Sequence, residues 1–159
     1  MPIDKNQLLE KLAEQISGNA DTMGDAAQNA RQASIDAPGR NQTRYDSSKE
    51  EQGYLADGLN IRHAELCFGA SMVKSTRLPM NPGKVVVGSL VKLNANGNSG
   101  HYFVLPYGGG QWIETEEGEV TVVTPESPLY RAMEGRRAGE TFRLNAAKRT
   151  IDYTITEIA

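Results

Sequence analysis

The chain is poor in the residues that build covalent or metal chemistry. Of its 159 residues one is cysteine, Cys67, and two are histidine, His63 and His101. One cysteine excludes an internal disulfide, and the set excludes a cysteine-based or histidine-rich zinc centre. Aromatic residues make up 6% of the chain, with one tryptophan, so a single large aromatic core is not expected. The longest apolar runs are a few residues, far short of the ~20 that cross a bilayer. The opening MPIDKNQLLEKLAEQ is amphipathic and lacks the apolar stretch of a signal peptide. No membrane association and a cytoplasmic location are therefore expected. The net charge of -3 argues against a dedicated nucleic-acid-binding domain, whose pI is expected above ~9.

What is present changes character at Pro79-Met80-Asn81-Pro82-Gly83. Proline cannot continue a helix and drives its predecessor toward extended geometry, so 79–83 reads as a linker between a domain at 1–78 and a second at 84–159. In the first part, Asp4 is placed to cap a helix. Leu9, Leu12, Ile16, Asn19, Met23, Ala26, Ala30 and Ala33 follow at spacings of three and four, a heptad seam that thins from Leu and Ile to Ala. Asp36-Ala37-Pro38-Gly39 stops this helix, and a second begins around 42–46. In the second helix Tyr45, Leu55, Leu59, Leu66 and Val73 share a stripe, with Tyr54, Ile61 and Phe68 beside it. A short break between two long helices makes them antiparallel neighbours, and the expectation is a coiled-coil hairpin on the order of 48 Å long with its tip at 36–44.

The second part has a different period. Strands are expected over 84–93, 101–105, 112–113, 119–123, 141–144 and 150–158, the last alternating strictly. Asn96 to Gly100 is a run of turn formers, and one short helix is expected at 128–134, capped by Ser127, started by Pro128 and closed by Gly135. The expected fold is α+β: a helical hairpin followed by an antiparallel sheet with one short helix.

No constellation for covalent catalysis is present. Cys67, between Leu66 and Phe68, reads as a buried, inert thiol, and His63 as a packed or surface side chain. Gly108-Gly109-Gly110 lacks the helix start and the Lys-Ser/Thr pair of a phosphate cradle. Glu114, Glu116, Glu117 and Glu119 form an acidic group, and Arg131, Arg136, Arg137 and Arg143 a basic one. Both read first as solvated faces and second as docking surfaces.

Two segments carry a resemblance. Tyr45 to Leu55 (YDSSKEEQGYL) is similar to the second-helix signature of the bacterial Gre transcript-cleavage factors, and Ser127 to Gly135 (SPLYRAMEG), followed by Ala138-Gly139-Glu140, resembles a later segment of the same family. The strand at 88–93 and the closing 153–158 are also similar, in the same order and spacing. The resemblance implies that the second domain is FKBP-like and docks on the rim of the RNA polymerase secondary channel. The hairpin would then enter the channel, meeting RNA and DNA only indirectly. In the family two tip carboxylates help hold a second magnesium ion, so that the polymerase cuts its own backtracked transcript. The factor is not itself an enzyme, has no cofactor of its own, and is expected to be a monomer.

The tip departs from that pattern. Aligned back from Tyr45, Pro38 falls at the family aspartate and Asn41 at the glutamate. The candidate tip residues are therefore Asp36, Arg40, Asn41, Arg44 and Asp46, in which two arginines would repel a magnesium ion. The candidate docking residues are Ser127, Pro128, Leu129 and Arg131. The leading expectation is a polymerase-binding factor that modulates elongation without efficient cleavage. A second reading keeps cleavage, with Asp36 or Asp46 substituting. A third takes the FKBP-like domain as a peptidyl-prolyl isomerase, which needs a concave pocket built from Tyr102, Phe103, Tyr107, Trp112, Tyr130, Phe142 or Tyr153.

Overall fold

The computed structural model describes residues 2–36 and 48–159. Helix α1 spans Lys5–Asp36 and helix α2 Ser48–Lys74. Strands β1 (Leu90–Ala95), β2 (Asn98–Val104), β3 (Trp112–Thr115) and β4 (Gly118–Val123) follow, then helix α3 (Pro128–Met133) and strands β5 (Thr141–Ala146) and β6 (Arg149–Ile158). The chain forms two compact units, Glu14–Ala70 and Met1–Ala13 with Ser71–Ala159.

Helix α1 starts as its sequence demands. The Asp4 carboxylate accepts from the amide of Asn6 at 2.9 Å and the Asp4 carbonyl from Leu8 at 3.1 Å, so two otherwise unpaired amides of the first turn are satisfied. Within Glu14–Ala70 the helices run antiparallel. Arg31 pairs with Asp57 at 3.3 Å, Ser34 donates to the Lys49 carbonyl, and His63 donates from Nδ1 to the Ala20 carbonyl at 2.6 Å. Gly24 has a reason beyond helix propensity: a Cβ there would lie 3.2 Å from the His63 ring, so the missing side chain makes room for the imidazole.

The seam of α1 differs from the heptad expected. Ile16, Ala20, Ala27 and Ala30 are buried, whereas Asn19 and Ala33 are exposed and Ala26 is half-buried. An α-helix drifts about 20° per heptad, so the contact line moves one position onward and carries polar Asn19 out to solvent. Helix α2 differs more. Its buried line is Ala56, Leu66, Ala70 and Val73, with Leu59 and His63 half-buried, while Tyr54, Leu55, Ile61 and Phe68 are exposed. Tyr45 and the expected helix start at 42–46 lie outside the described residues.

The sheet has six strands in the order β3-β4-β2-β1-β6-β5. β1 and β2 pair antiparallel around Asn96 (φ 54°) and Gly97 (φ 84°), a two-residue turn whose positive φ values suit Asn-Gly and match the strand twist. β3/β4, β1/β6 and β5/β6 are antiparallel, but β2 and β4 run parallel, so the sheet is not uniformly antiparallel. The crossing from β2 to β4 is made through the β3 hairpin. The expected strand over 84–93 begins only at Leu90, because Gly88 turns the chain at φ 90°.

Alternation gives the sheet two buried faces. One carries Val91, Leu93, Val104, Val123, Phe142 and Ile155 and is covered by Tyr130 and Met133 of α3. The other carries Leu90, Phe103, Ile113, Val120, Val122 and His101, whose Nε2 has no hydrogen-bond partner among the described residues.

Candidate functional site

The six-residue helix α3 is too short to be stable by propensity and depends on its ends and on its buried side. Ser127 has extended backbone (φ -71°, ψ 144°), and its hydroxyl accepts from the Tyr130 amide at 3.1 Å. Pro128 occupies the first turn, where no amide is needed. Tyr130 and Met133 anchor the inner side, which leaves Pro128 and Arg131 exposed and Leu129 half-buried against the core. Ser127→Ala is expected to cost about 1 kcal/mol by loss of the cap. It should lower the thermal midpoint of the full chain without moving the α3 residues that face solvent. A midpoint unchanged within error would show that the cap is not needed.

The basic group around α3 divides in two. Arg136 donates from Nε to the Ala132 carbonyl at 2.7 Å and lies 5.9 Å over the Phe142 ring, so it closes the helix end and covers an aromatic. Arg143 grips Asp152 across the β5/β6 ladder at 2.7 and 3.2 Å, which holds the Asp152 carboxyl below its ordinary range. Arg131 and Arg137 remain exposed. The Tyr130 phenol is pushed up by burial and then by Glu134, to which it donates at 3.2 Å. What α3 offers outward is a proline, part of a leucine and a guanidinium, a surface suited to an apolar contact with an acidic rim.

Of the candidate tip residues, Asp36 ends α1, is exposed, and accepts from Gln32 Nε2 at 3.0 Å. Arg40, Asn41, Arg44 and Asp46 lie outside the described residues. Among the described residues no three His, Cys, Asp or Glu side chains converge. Among the described residues no helix is long and apolar enough to cross a membrane.

Cys67 is exposed, contrary to expectation. Its sequence neighbours Leu66 and Phe68 point about 100° to either side on a helix, so adjacency says nothing about burial. Its sulfur lies 3.6 Å from His63 Nε2, the ring nitrogen left to accept once Nδ1 donates to Ala20. Glu114 and Glu119 are direct cross-strand partners, so two of the acidic residues meet like to like at the β3/β4 edge. Four of the aromatics, Tyr102, Tyr130, Phe142 and Tyr153, belong to one packed core. Phe103 lies on one face of the sheet, Phe142 and Tyr153 stack at 5.4 Å on the other, and Trp112 is exposed. A groove of about 460 Å³ lined by Met72, Pro79, Val86 and Pro106 carries no aromatic side chain.

No protein-family model matches the chain. Among curated proteins it is 30% identical over 117 residues to the transcription elongation factor GreA of Methylococcus capsulatus, an alignment covering 72% of this chain and 68% of that one. The chain belongs to the Gre family of transcription elongation factors. Two solved Gre-factor homologues were also found. Gfh1 of Thermus thermophilus is 16% identical over 92% of this chain and 94% of its own, with a TM-score of 0.36. Gfh1 of Thermus aquaticus is 16% identical over 94% and 92%, with a TM-score of 0.38. The Gre resemblance first carried by 45–55 and 127–140 is therefore a family relationship, and the helical pair followed by a sheet with one short helix is the fold it implied.

Proposed function

We propose that this Gre-family chain binds RNA polymerase through the outer side of α3, places the α1–α2 hairpin in the secondary channel, and modulates elongation without efficiently stimulating transcript cleavage. Family membership is the observation that carries the reading. The α3 geometry supports the docking part, because Ser127 fixes the helix start while Pro128, Arg131 and part of Leu129 are left exposed.

The cleavage part rests on the donor set at the tip. Magnesium takes hard oxygen ligands, chiefly carboxylates and water. The family positions for its two carboxylates hold Pro38 and Asn41 here, with Arg40 and Arg44 between and beyond them. Asp36 is already engaged by Gln32. This set does not fit a magnesium ion, so the ions of the reaction belong to the polymerase and no step is assigned to a metal held by this chain. The chain is then a ligand of the polymerase rather than an enzyme.

Native mass spectrometry with core RNA polymerase tests the docking. Pro128→Ala and Leu129→Ala are expected to weaken binding by about tenfold or more if these residues are anchors of the contact, and Arg131→Glu to weaken it while reducing or reversing its loss with added salt. Equal binding by wild type and all three variants would remove the α3 surface from the contact. A backtracked-complex assay tests the rest: efficient RNA cleavage with wild type, abolished by Asp36→Asn and Asp46→Asn, would replace modulation by cleavage.

A further inference from the structure

His63 and Cys67 lie one turn apart on α2, at the spacing of four that puts two side chains on one face of a helix. The Cys67 sulfur is 3.6 Å from His63 Nε2. Zinc bonds of about 2.3 Å to sulfur and about 2.0–2.1 Å to nitrogen, at a tetrahedral angle, set those two atoms roughly 3.5 Å apart. The pair therefore already has the bite of a chelate.

The imidazole is held as a metal ligand is held. Its Nδ1 donates to the Ala20 carbonyl at 2.6 Å, which fixes the tautomer and leaves the Nε2 lone pair facing the sulfur. A hydrogen bond from the remote ring nitrogen orients metal-binding histidines and raises the basicity of the coordinating nitrogen. Helix α1 makes room for the ring, since a Cβ on Gly24 would lie 3.2 Å from both Cε1 and Nδ1. Glycine in mid-helix weakens α1, so the space for the imidazole is kept against helix propensity. Cys67 is exposed and His63 half-buried, so an ion can reach the pair from solvent.

We propose that His63 Nε2 and Cys67 Sγ together bind one divalent transition-metal ion of the zinc class per chain, with water in the remaining positions. Without the ion, the thiol proton occupies the contact between Sγ and Nε2. On binding, the S–H bond breaks and its proton leaves to solvent. The sulfur and Nε2 lone pairs form the two bonds to the ion, and no electron is transferred. A thiolate and an imidazole suit zinc and its neighbours rather than magnesium, so this site is separate in chemistry from the ions of transcript cleavage. It also differs from the closed four-ligand zinc centre that one cysteine and two histidines cannot build. With two protein ligands the ion is exchangeable, held with a Kd on the order of 1–100 μM.

Cobalt and zinc titrations of the reduced full chain test this. Co²⁺ is expected to give a thiolate-to-cobalt charge-transfer band that saturates at one ion per chain, and Zn²⁺ to displace it. Zn²⁺ should also slow modification of Cys67 by a thiol reagent at least about tenfold, whereas Mg²⁺ should not. Cys67→Ser should lose the band, and His63→Gln should need at least about tenfold more Zn²⁺ for the same protection. Because His63 also bonds to α1, circular dichroism of His63→Gln checks that the helices persist. Gly24→Ala gives an independent reading: it raises helix propensity yet crowds the ring, so it should weaken zinc binding by about threefold or more without loss of helix. Zinc binding equally to wild type and Cys67→Ser, protection unchanged in both His63→Gln and Gly24→Ala, or no charge-transfer band up to about 1 mM Co²⁺ would each overturn the proposal.

Discussion

Gly88→Ala is expected to destabilise the sheet-bearing unit by about 2–4 kcal/mol. Two penalties add. At φ 90° an L side chain sits in the left-handed region, which costs roughly 1–2 kcal/mol. A Cβ built there also lies 2.6 Å from the Arg77 carbonyl oxygen and 2.6 Å from Pro79 Cδ, distances that force backbone to move at a further cost of about 1–3 kcal/mol. The site cannot slide away. The Gly88 amide donates to Val104 at 2.8 Å, the Ser89 carbonyl accepts from Val104 at 2.9 Å, and Lys5 Nζ reaches both the Pro79 and Gly88 carbonyls. At roughly 4–8 °C per kcal/mol for a domain of this size, thermal melts should fall by about 10–25 °C. Gly97→Ala is the control: its φ is 84°, but nothing lies within 4 Å of the added methyl, so it should show the conformational penalty alone. Equal losses from the two variants would mean that the close approach at 77–79 contributes nothing.

That crossing was not legible in the sequence, and the reason is general. Gly88-Ser89 reads locally as the start of a strand, and only the return of 77–79 over it, a contact between segments nine to eleven residues apart, shows why no Cβ is tolerated. Features that depend on neighbours along the chain were legible: the Asp4 cap, the Ser127-Pro128 helix start, the Asn96-Gly97 turn, and the change from helical to strand period between α2 and β1. Features that depend on how far a helix rotates were not. A one-residue slip of the α1 seam moves Asn19 from contact to solvent, and Cys67 was placed by its sequence neighbours rather than by its angle on the helix. The parallel β2/β4 pair was hidden for another reason: strand runs separated by short turns look alike whether the chain doubles back beside its predecessor or passes over one strand. On α3 the capping by Ser127 and Pro128 was legible, since capping is local. The division of the arginines was not, because Arg136 and Arg143 are committed by Phe142 and Asp152 from other elements.

Installing the family carboxylates is expected to convert the chain into a cleavage-stimulating factor. The proposed loss of cleavage is a loss of ligands, not of fold or docking, so Pro38→Asp with Asn41→Glu should raise RNA cleavage in a backtracked complex by at least about a hundredfold over wild type, the scale set by charge stabilisation in metal-assisted phosphoryl chemistry. The two substitutions should be strongly non-additive, since one carboxylate alone neither completes a second metal's ligand set nor positions water. Arg40 and Arg44 are expected to oppose the gain, because guanidinium groups this near in sequence compete for the new carboxylates and repel the ion. Arg40→Ala in the double variant should therefore increase cleavage further and lower the magnesium concentration needed for half-maximal rate. Leu129→Ala in the same background should abolish the gain at limiting factor concentration and restore it at excess, since docking and chemistry are separate contributions. A double variant that binds polymerase as wild type does yet leaves cleavage at the basal rate would show that the tip sequence is not what withholds the activity.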